Sequence, residues 1–234
     1  MSIVTTDNQN YINIASKLRE KTGMDKSYMP SEIPEGIDEV YQSGKQAEYD
    51  YFWDIYQNNG MRGNYAYSFY NAGWTDDTYN PKYDLDCRYV CTQMFTSSQI
   101  TDTKRDLTFA PVNSGNNSTH VFYNAKLLKT IRKLIVNEDV TFVNWFGNCT
   151  VLENIVVEGE IANDFDIHYS PLTKDSIISI ISALSNAVEG RTATFSLAAI
   201  NAAFQSVEGF NDGVDSEEWM KLVESKPGWT ISLI

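Results

Sequence analysis

The sequence predicts an α+β fold: a short β-solenoid that follows an N-terminal helical module and is closed by a C-terminal α/β cap. Three observations lead to this prediction. A short motif that begins with phenylalanine recurs at a nearly constant interval through the middle of the chain. Brief β-branched runs lie between its copies, and helix-forming segments precede and follow them. Such a repeat, with a period of about 20–29 residues, is typical of solenoids, whose turns share one core.

The repeat has four copies, whose leading phenylalanines are 26, 27 and 24 positions apart. Two copies continue in register for longer, over 122–131 and 146–155, and share a leucine and an isoleucine as well. We expect each turn to place its phenylalanine and its aliphatic residues in a common core. The predicted repeat core therefore consists of Phe69, Phe95, Phe122, Phe146, Leu128, Leu152, Ile131 and Ile155.

Short β-branched runs at 134–136 and 155–157 are bounded by polar residues and are predicted to be strands. The first two turns carry longer polar inserts, at 75–81 and 101–117. Inserts in repeat proteins fall on one face and often carry the binding function. We therefore expect recognition to concentrate in the first two turns.

The two ends of the chain predict separate units around this body. Residues 1–44 are predicted to form a helical attachment or oligomerisation module, because two short helices of this size are barely stable alone. Residues 45–169 hold a leading helix over 45–58 and then the solenoid. Residues 170–234 are predicted to be a capping region that shields the last turn from water, with a helix at 176–188, a strand at 192–197, a helix at 216–225 and a strand at 229–234.

The charge of the chain excludes some classes of partner. Its 234 residues include 18 basic and 31 acidic side chains, which gives a net charge of −13. Binding to nucleic acid or to an anionic membrane surface needs clustered Lys and Arg, so neither partner is expected. The N-terminus lacks a basic segment followed by an apolar one, so no signal peptide is expected. No apolar run is long enough for a transmembrane helix, so no membrane insertion is expected.

Catalytic and metal-binding constellations are not expected either. The cysteines Cys87, Cys91 and Cys149 are odd in number, which excludes a full disulfide framework, and they are predicted to be small buried apolar residues. His120 and His168 have no nucleophile elbow near them in the sequence. The carboxylate pairs Asp76/Asp77, Asp84/Asp86 and Asp164/Asp166 are predicted to be solvated loop charge, although a glycan hydrolase that uses such a pair remains an alternative. We therefore expect no catalytic residues, no metal and no cofactor.

The segment 64–83 is the strongest candidate for a ligand site. It mixes aromatic side chains with Asn and Asp, a composition suited to stacking on sugar rings and hydrogen bonding to their hydroxyls. The alternative is that its aromatic residues fill the core or contact a neighbouring subunit. The candidate ligand-binding residues are Tyr65, Tyr67, Trp74, Asp76, Asp77, Tyr79 and Tyr83.

Two features of the sequence resemble known families. The copies of the pattern F-x-N-C/A-x-x-L-x-x-I resemble leucine-rich repeats of the BspA-like type. The run IASKLREKTG followed by PSEIPEGI is similar to the short helical module that opens many tail-associated and fibre-like proteins of phages infecting Gram-positive gut bacteria. The helix KQAEYDYFWDIYQNNG, the segment SPLTKDSIISIISAL and the closing KPGWT extend this similarity along nearly the whole chain.

This resemblance implies a structural or adhesion protein of a bacteriophage virion, tail or fibre-associated and non-catalytic, that is assembled in the bacterial cytoplasm. Residues 1–44 are then expected to bind other virion proteins. The repeat surface is expected to bind a host surface glycan or a protein, and the chain is expected to be a homo-oligomer, for which a trimer is one option. The alternative is a bacterial leucine-rich-repeat protein that acts at the cell surface or as an intracellular interaction module.

Overall fold

A computed structural model describes residues 69–70, 74–77, 79, 81, 84–87, 91–109, 118–205 and 213–234. The predicted module at 1–44 and the predicted helix at 45–58 lie outside these residues, as do Tyr65, Tyr67 and Tyr83. The strands of the described part are β1 (Leu85–Asp86), β2 (Asp106–Phe109), β3 (Thr130–Val136), β4 (Asn154–Gly159), β5 (Phe165–Asp166), β6 (Arg191–Phe195) and β7 (Trp229–Leu233). Its α-helices are α1 (Lys174–Ala183), α2 (Leu197–Phe204) and α3 (Glu217–Glu224), and a 3-10 turn spans Gly213–Asp215.

The first sheet contains four parallel strands in the order β1-β2-β3-β4. Its inward row is apolar, with Leu107 paired to Leu85 on one side and to Leu134 on the other, and with Leu134 paired to Val157. The side chains on the other face are partly exposed, because successive residues of a strand point to opposite faces. Lys133 lies on this outer face, where its Nζ is 3.5 Å from Asp106 and 3.0 Å from Glu158.

The four phenylalanines that lead the repeats form one stack beside this sheet. The ring centroids of Phe69 and Phe95 are 4.9 Å apart, those of Phe95 and Phe122 are 5.3 Å apart, and those of Phe122 and Phe146 are 5.6 Å apart. Neighbouring rings are nearly parallel, and all four side chains are fully buried. Their turns are joined by main-chain hydrogen bonds, such as those from the nitrogen of Phe95 to the oxygen of Val121 and from the nitrogen of Phe122 to the oxygen of Trp145.

The turns around Phe95, Phe122 and Phe146 each contain residues in the left-handed backbone region. The first series comprises Gln93, His120 and Asn144, and the second comprises Ser97, Asn124 and Asn148. Asparagine is one of the few residues other than glycine that adopts this conformation at low cost, which explains its recurrence in the motif. Side chains of the second series also join successive turns, because Asn124 Nδ2 donates to the Oγ of Ser97 over 3.0 Å.

The predicted leucine-rich-repeat solenoid with a separate cap is wrong as a fold class. The described residues form two small parallel sheets, of four and three strands, together with three α-helices, which is an α/β mixture. The parallel ladder of the first sheet ends at β4, because α1 occupies the outer edge of that strand. No further repeat can therefore pair there, as a continuing solenoid would require. The second sheet also takes its first strand, Phe165–Asp166, from before Ser170, where the cap was predicted to begin.

Helix α1 binds the edge of β4 through serine side chains. The Oγ of Ser176 accepts a hydrogen bond from the nitrogen of Ile155 and donates to the oxygen of Glu153. The Oγ of Ser179 accepts from the nitrogen of Val157 over 2.8 Å and donates to the oxygen of the same residue. A free strand edge exposes unpaired main-chain groups that invite aggregation, and these serines take the place of a further strand.

The second sheet has the order β5-β6-β7, and all of its pairings are parallel. Phe165, Ala193 and Ile231 are paired across its three strands, and the first two are fully buried. The segment before β7 is attached to the end of α1, because Lys226 Nζ donates to the oxygens of Ser182 and Leu184. A cation at the carboxyl end of a helix is favourable, while burial lowers the pKa of Lys226.

Candidate functional site

Two of the predicted ligand-binding aromatic residues belong to the core instead. Tyr79 is fully buried, and Trp74 is 7% exposed. Both pack edge-on against the ring of Phe69, at 5.3 Å and 5.2 Å between centroids. The hydroxyl of Tyr79 donates to the oxygen of Thr103, and burial raises the pKa of this tyrosine well above its ordinary value. The interpretation of these side chains as a surface for sugar stacking is therefore corrected, because their apolar area is used in packing.

The acidic residues beside them are divided between two environments. Asp76 is half-buried, and its two carboxylate oxygens accept hydrogen bonds from the nitrogen and the hydroxyl of Thr101, at 2.9 Å and 2.6 Å. This carboxylate therefore joins two turns. Asp77 is exposed. Of the seven predicted ligand-binding residues, the structure describes four, and it places only Asp77 at the surface.

A different part of the molecule forms an open groove. It has a volume of about 380 Å³ and is lined by residues 141–144, by residues 163–166, and by Arg191, Thr192 and Thr194. We call it the threonine groove. One wall is the turn that precedes Trp145, and the floor is formed by β5 and β6. A groove of this size lies at the small end of the range for small-molecule binding sites.

The floor of the threonine groove carries short polar side chains because of strand alternation. Ala193 and Phe195 point into the core, so Thr192 and Thr194 point to the opposite, half-exposed face. Asp166 is the pairing partner of Thr194, and Thr194 is paired in turn with Ser232 of β7. The floor is therefore shallow and rich in hydroxyl groups.

The charged side chains of the groove are held by neighbouring main-chain groups. The Oδ1 of Asp164 accepts from the nitrogen of Thr192 over 3.0 Å. The Oδ1 of Asp166 accepts from the nitrogen of His168 and lies 2.6 Å from its Nδ1. Both carboxylates therefore accept hydrogen bonds through Oδ1, and the Oδ2 of each has no hydrogen-bond partner among the described residues. Arg191 makes no ion pair with any described carboxylate.

The wall of the groove adds an exposed apolar side chain and an amide. Val143 is 51% exposed and lines the groove. The next residue, Asn144, has a left-handed backbone, and its side-chain nitrogen lies 3.3 Å from Nε2 of His120. Tyr169 is 48% exposed and its ring lies 3.9 Å from the ring of His168, the residue that contacts Asp166. An exposed aromatic ring therefore accompanies the acidic side of the groove.

No protein-family model, no curated protein and no solved structure matches the chain. In the part of the chain that the structure describes, no group of three or more His, Cys, Asp or Glu side chains is arranged to hold a metal ion. The described residues also include no helix that is long and apolar enough to cross a membrane. Cys87, Cys91 and Cys149 are buried, and burial raises the pKa of the Cys149 thiol to about 12.

Sequence reasoning missed the threonine groove, although one signal for it was present. Asp164 and Asp166 were interpreted as solvated loop charge, and Asn144, Arg191, Thr192 and Thr194 were not singled out at all. The alternation Thr192-Ala193-Thr194 does place two hydroxyls on one strand face. This alternation does not reveal that β6 pairs with β5, and it is this pairing that brings the hydroxyls next to Asp166.

Proposed function

We propose that this chain is a non-catalytic adhesion protein of a bacteriophage virion, tail or fibre-associated, which binds the host surface through the threonine groove. The observation that carries the proposal is the groove itself. It presents hydroxyls, an amide, two carboxylates and a guanidinium around a shallow floor, with an exposed apolar side chain on its wall. Polar groups placed in a concave surface fix the orientation of a bound ligand.

The scaffold beneath the groove supports this proposal. Its floor belongs to a sheet whose other face is buried. Its wall directly precedes Trp145, whose indole nitrogen donates to the oxygen of Ser118 over 2.7 Å. Trp145 is also in ring contact with Phe109 and Phe142. Recognition residues on a rigid scaffold lose little conformational entropy when they bind.

The test has two arms that use the full chain. In the first, antibodies against the chain are applied to purified particles from a phage or prophage that encodes it, and labelling is examined by electron microscopy. We expect labelling of the tail or its fibres. If the particles form normally but contain none of this protein, the proposal that it belongs to the virion is wrong.

In the second arm, the labelled full chain is mixed with cells of a panel of Gram-positive gut bacteria, and sedimented fluorescence is measured. We expect binding to some strains and a clear reduction in a Thr192→Val, Thr194→Val double variant. Thr230→Val is the matched control, because Thr230 is the pairing partner of Thr192 on β7 but does not line the groove. Equal loss in the control would mean that the groove is not the binding surface.

A further inference from the structure

We infer that the threonine groove selects an uncharged, hydroxyl-rich sugar rather than a phosphate-bearing wall polymer. This inference rests on the proposed function, because it assigns a ligand class to the same surface. It differs from the expectation based on segment 64–83, whose described aromatic residues are buried. Three properties of the groove carry it: its unused hydrogen-bonding groups, its charge, and the mixture of apolar and polar surface.

The hydrogen-bonding groups of the groove match those of a sugar. The hydroxyls of Thr192 and Thr194 line the groove, and neither has a hydrogen-bond partner among the described residues. A threonine hydroxyl can donate and accept, as can each hydroxyl of a sugar. The free oxygens of Asp164 and Asp166 are acceptors, and the guanidinium of Arg191 is a donor. A ligand with many hydroxyls can satisfy all of these groups at once, whereas a phosphate can only accept from its donors.

The charge of the groove disfavours polyanions. Two carboxylates face one guanidinium, within a chain whose net charge is −13. Like charges at short range in a partly desolvated site raise the free energy of the complex. A cationic sugar would be attracted by the two carboxylates and repelled by Arg191, so the charge of the groove acts mainly against anions. An uncharged ligand avoids the penalty for anions, and its hydroxyls can both donate and accept hydrogen bonds.

The exposed apolar surface supplies the remaining contact that a sugar ring needs. Val143 lines the groove together with the polar side chains of β5 and β6 and is exposed. Pyranose rings have one face of C–H groups and a rim of hydroxyls, so a wall of this kind contacts the ring while the floor binds its edge. Small-molecule sites in general combine apolar lining with a few placed polar groups.

The experiment uses the full chain and defined oligosaccharides. Maltohexaose, cellohexaose and chitohexaose are the uncharged probes, with lipoteichoic acid as the anionic probe and a chitosan hexamer as the cationic one. Binding is measured by titration calorimetry. We expect at least one uncharged probe to bind, and Thr192→Val and Thr194→Val each to weaken it roughly three- to tenfold, as the loss of one hydrogen bond does. Thr230→Val should leave the affinity unchanged.

Several outcomes would overturn the inference. Binding of the anionic or the cationic probe alone would show the wrong ligand class, and an affinity insensitive to both groove variants would show the wrong site. Release of shorter oligosaccharides, detected by chromatography, would show a hydrolase rather than a binding protein. If none of the three uncharged probes binds, binding of the chain to whole cells is measured before and after the cells are treated with periodate, which oxidises sugar rings. The inference then fails if binding survives this treatment.

Treatment of the cells before binding separates this inference from the proposed function. If binding survives periodate but is lost after protease treatment, the partner is a protein; the inference fails, and the adhesion proposal stands. If no cell is bound while an uncharged probe is bound in a groove-dependent way, the adhesion proposal fails, and the ligand class stands.

Discussion

The hydroxyl oxygen of Ser176 lies 2.9 Å from the main-chain nitrogen of Ile155 and accepts its hydrogen. Ser176 is buried in α1, and Ile155 lies in β4, the strand at the edge of the first sheet. A serine at a buried helix position is unusual unless its hydroxyl has partners, and here it also donates to the oxygen of Glu153. Helix α1 therefore contributes both apolar packing and hydrogen bonds to the edge of the sheet.

Replacement of Ser176 by alanine should lower the free energy of unfolding by about 1–3 kcal/mol, because it leaves the buried N–H of Ile155 without a partner. Urea denaturation followed by fluorescence measures this loss. Ser182→Ala in the same helix is the control, since its side chain is exposed and its loss should stay within about 0.5 kcal/mol. Equal effects of the two substitutions would show that α1 does not stabilise β4 through Ser176.

Phe122 occupies the interior of the ring stack, with Phe95 on one side and Phe146 on the other. Phe122→Ala should cost about 3–5 kcal/mol, because truncation of a buried aromatic side chain leaves a cavity. Thermal and urea unfolding measure the effect. Leu127→Ala is a suitable control, because Leu127 is 50% exposed and its truncation should have little effect. A cost below about 1 kcal/mol for Phe122→Ala would be incompatible with a stack at the centre of the core.

The Cys149 thiol should make stability depend on alkaline pH. Burial raises its pKa from 9.0 to about 12, so the folded state retains a proton that the unfolded chain releases above pH 9. The free energy of unfolding therefore falls as the pH rises from about 9 towards 12. At pH 10 the thiol accounts for a loss of about 1 kcal/mol. Cys149→Ala removes this contribution and introduces the residue found at the same place in the preceding repeat, Ala125.

The measurement is the free energy of unfolding of both proteins at pH 8 and at pH 10. The wild type should lose about 1 kcal/mol more than Cys149→Ala between these values. Other groups whose pKa values differ between the folded and unfolded states, including Tyr79, are present in both proteins and cancel in the difference. Parallel losses would mean that the thiol is not shielded from solvent.

Two glycines with left-handed backbones should respond differently to substitution. A Cβ at Gly159, where φ is +100°, would lie 1.9 Å from the oxygen of Val136, a main-chain atom that cannot move aside. Gly159→Ala should therefore cost about 3 kcal/mol or more. At Gly190, where φ is +68°, a Cβ meets no atom within 4 Å, so the cost should be only the backbone penalty of about 1–2 kcal/mol. Thermal unfolding of both variants tests this order, and the reverse order would contradict the approach of β4 to β3.

Local features were within reach of the sequence, because they depend on residues close together in the chain. The predicted strands at 134–136 and 155–157 lie within β3 and β4, and the predicted strand at 229–234 coincides with β7 except at its last residue. The helix predicted over 176–188 is observed as Lys174–Ala183. It ends early because Leu184 has an extended backbone and pairs with Ile161 in an isolated bridge.

Features that depend on pairing between distant segments were not within reach. Trp74 and Tyr79 occur in a polar segment, and only their contact with Phe69 shows that they are buried. The three segments of the threonine groove are separated in sequence and come together only in the folded chain, through the pairing of β5 with β6 and the ring contact of Phe142 with Phe165. The end of the first sheet depends on two serine hydroxyls, and serine carries no pattern that distinguishes an edge-binding role from simple exposure.

The parallel arrangement of the strands has a consequence for how the chain reaches its native state. Every strand pair in the described part is parallel, so none can form as a hairpin, and each requires a long intervening segment to close first. The entropy of loop closure is lost before the pairing energy is gained, which places such chains among the slower folders, on the scale of milliseconds to seconds. Within each sheet, however, every strand pairs with the next one along the chain. A ribosome releases the strands in the order in which they dock, so synthesis itself supplies each arriving strand with a finished template and leaves it few wrong partners.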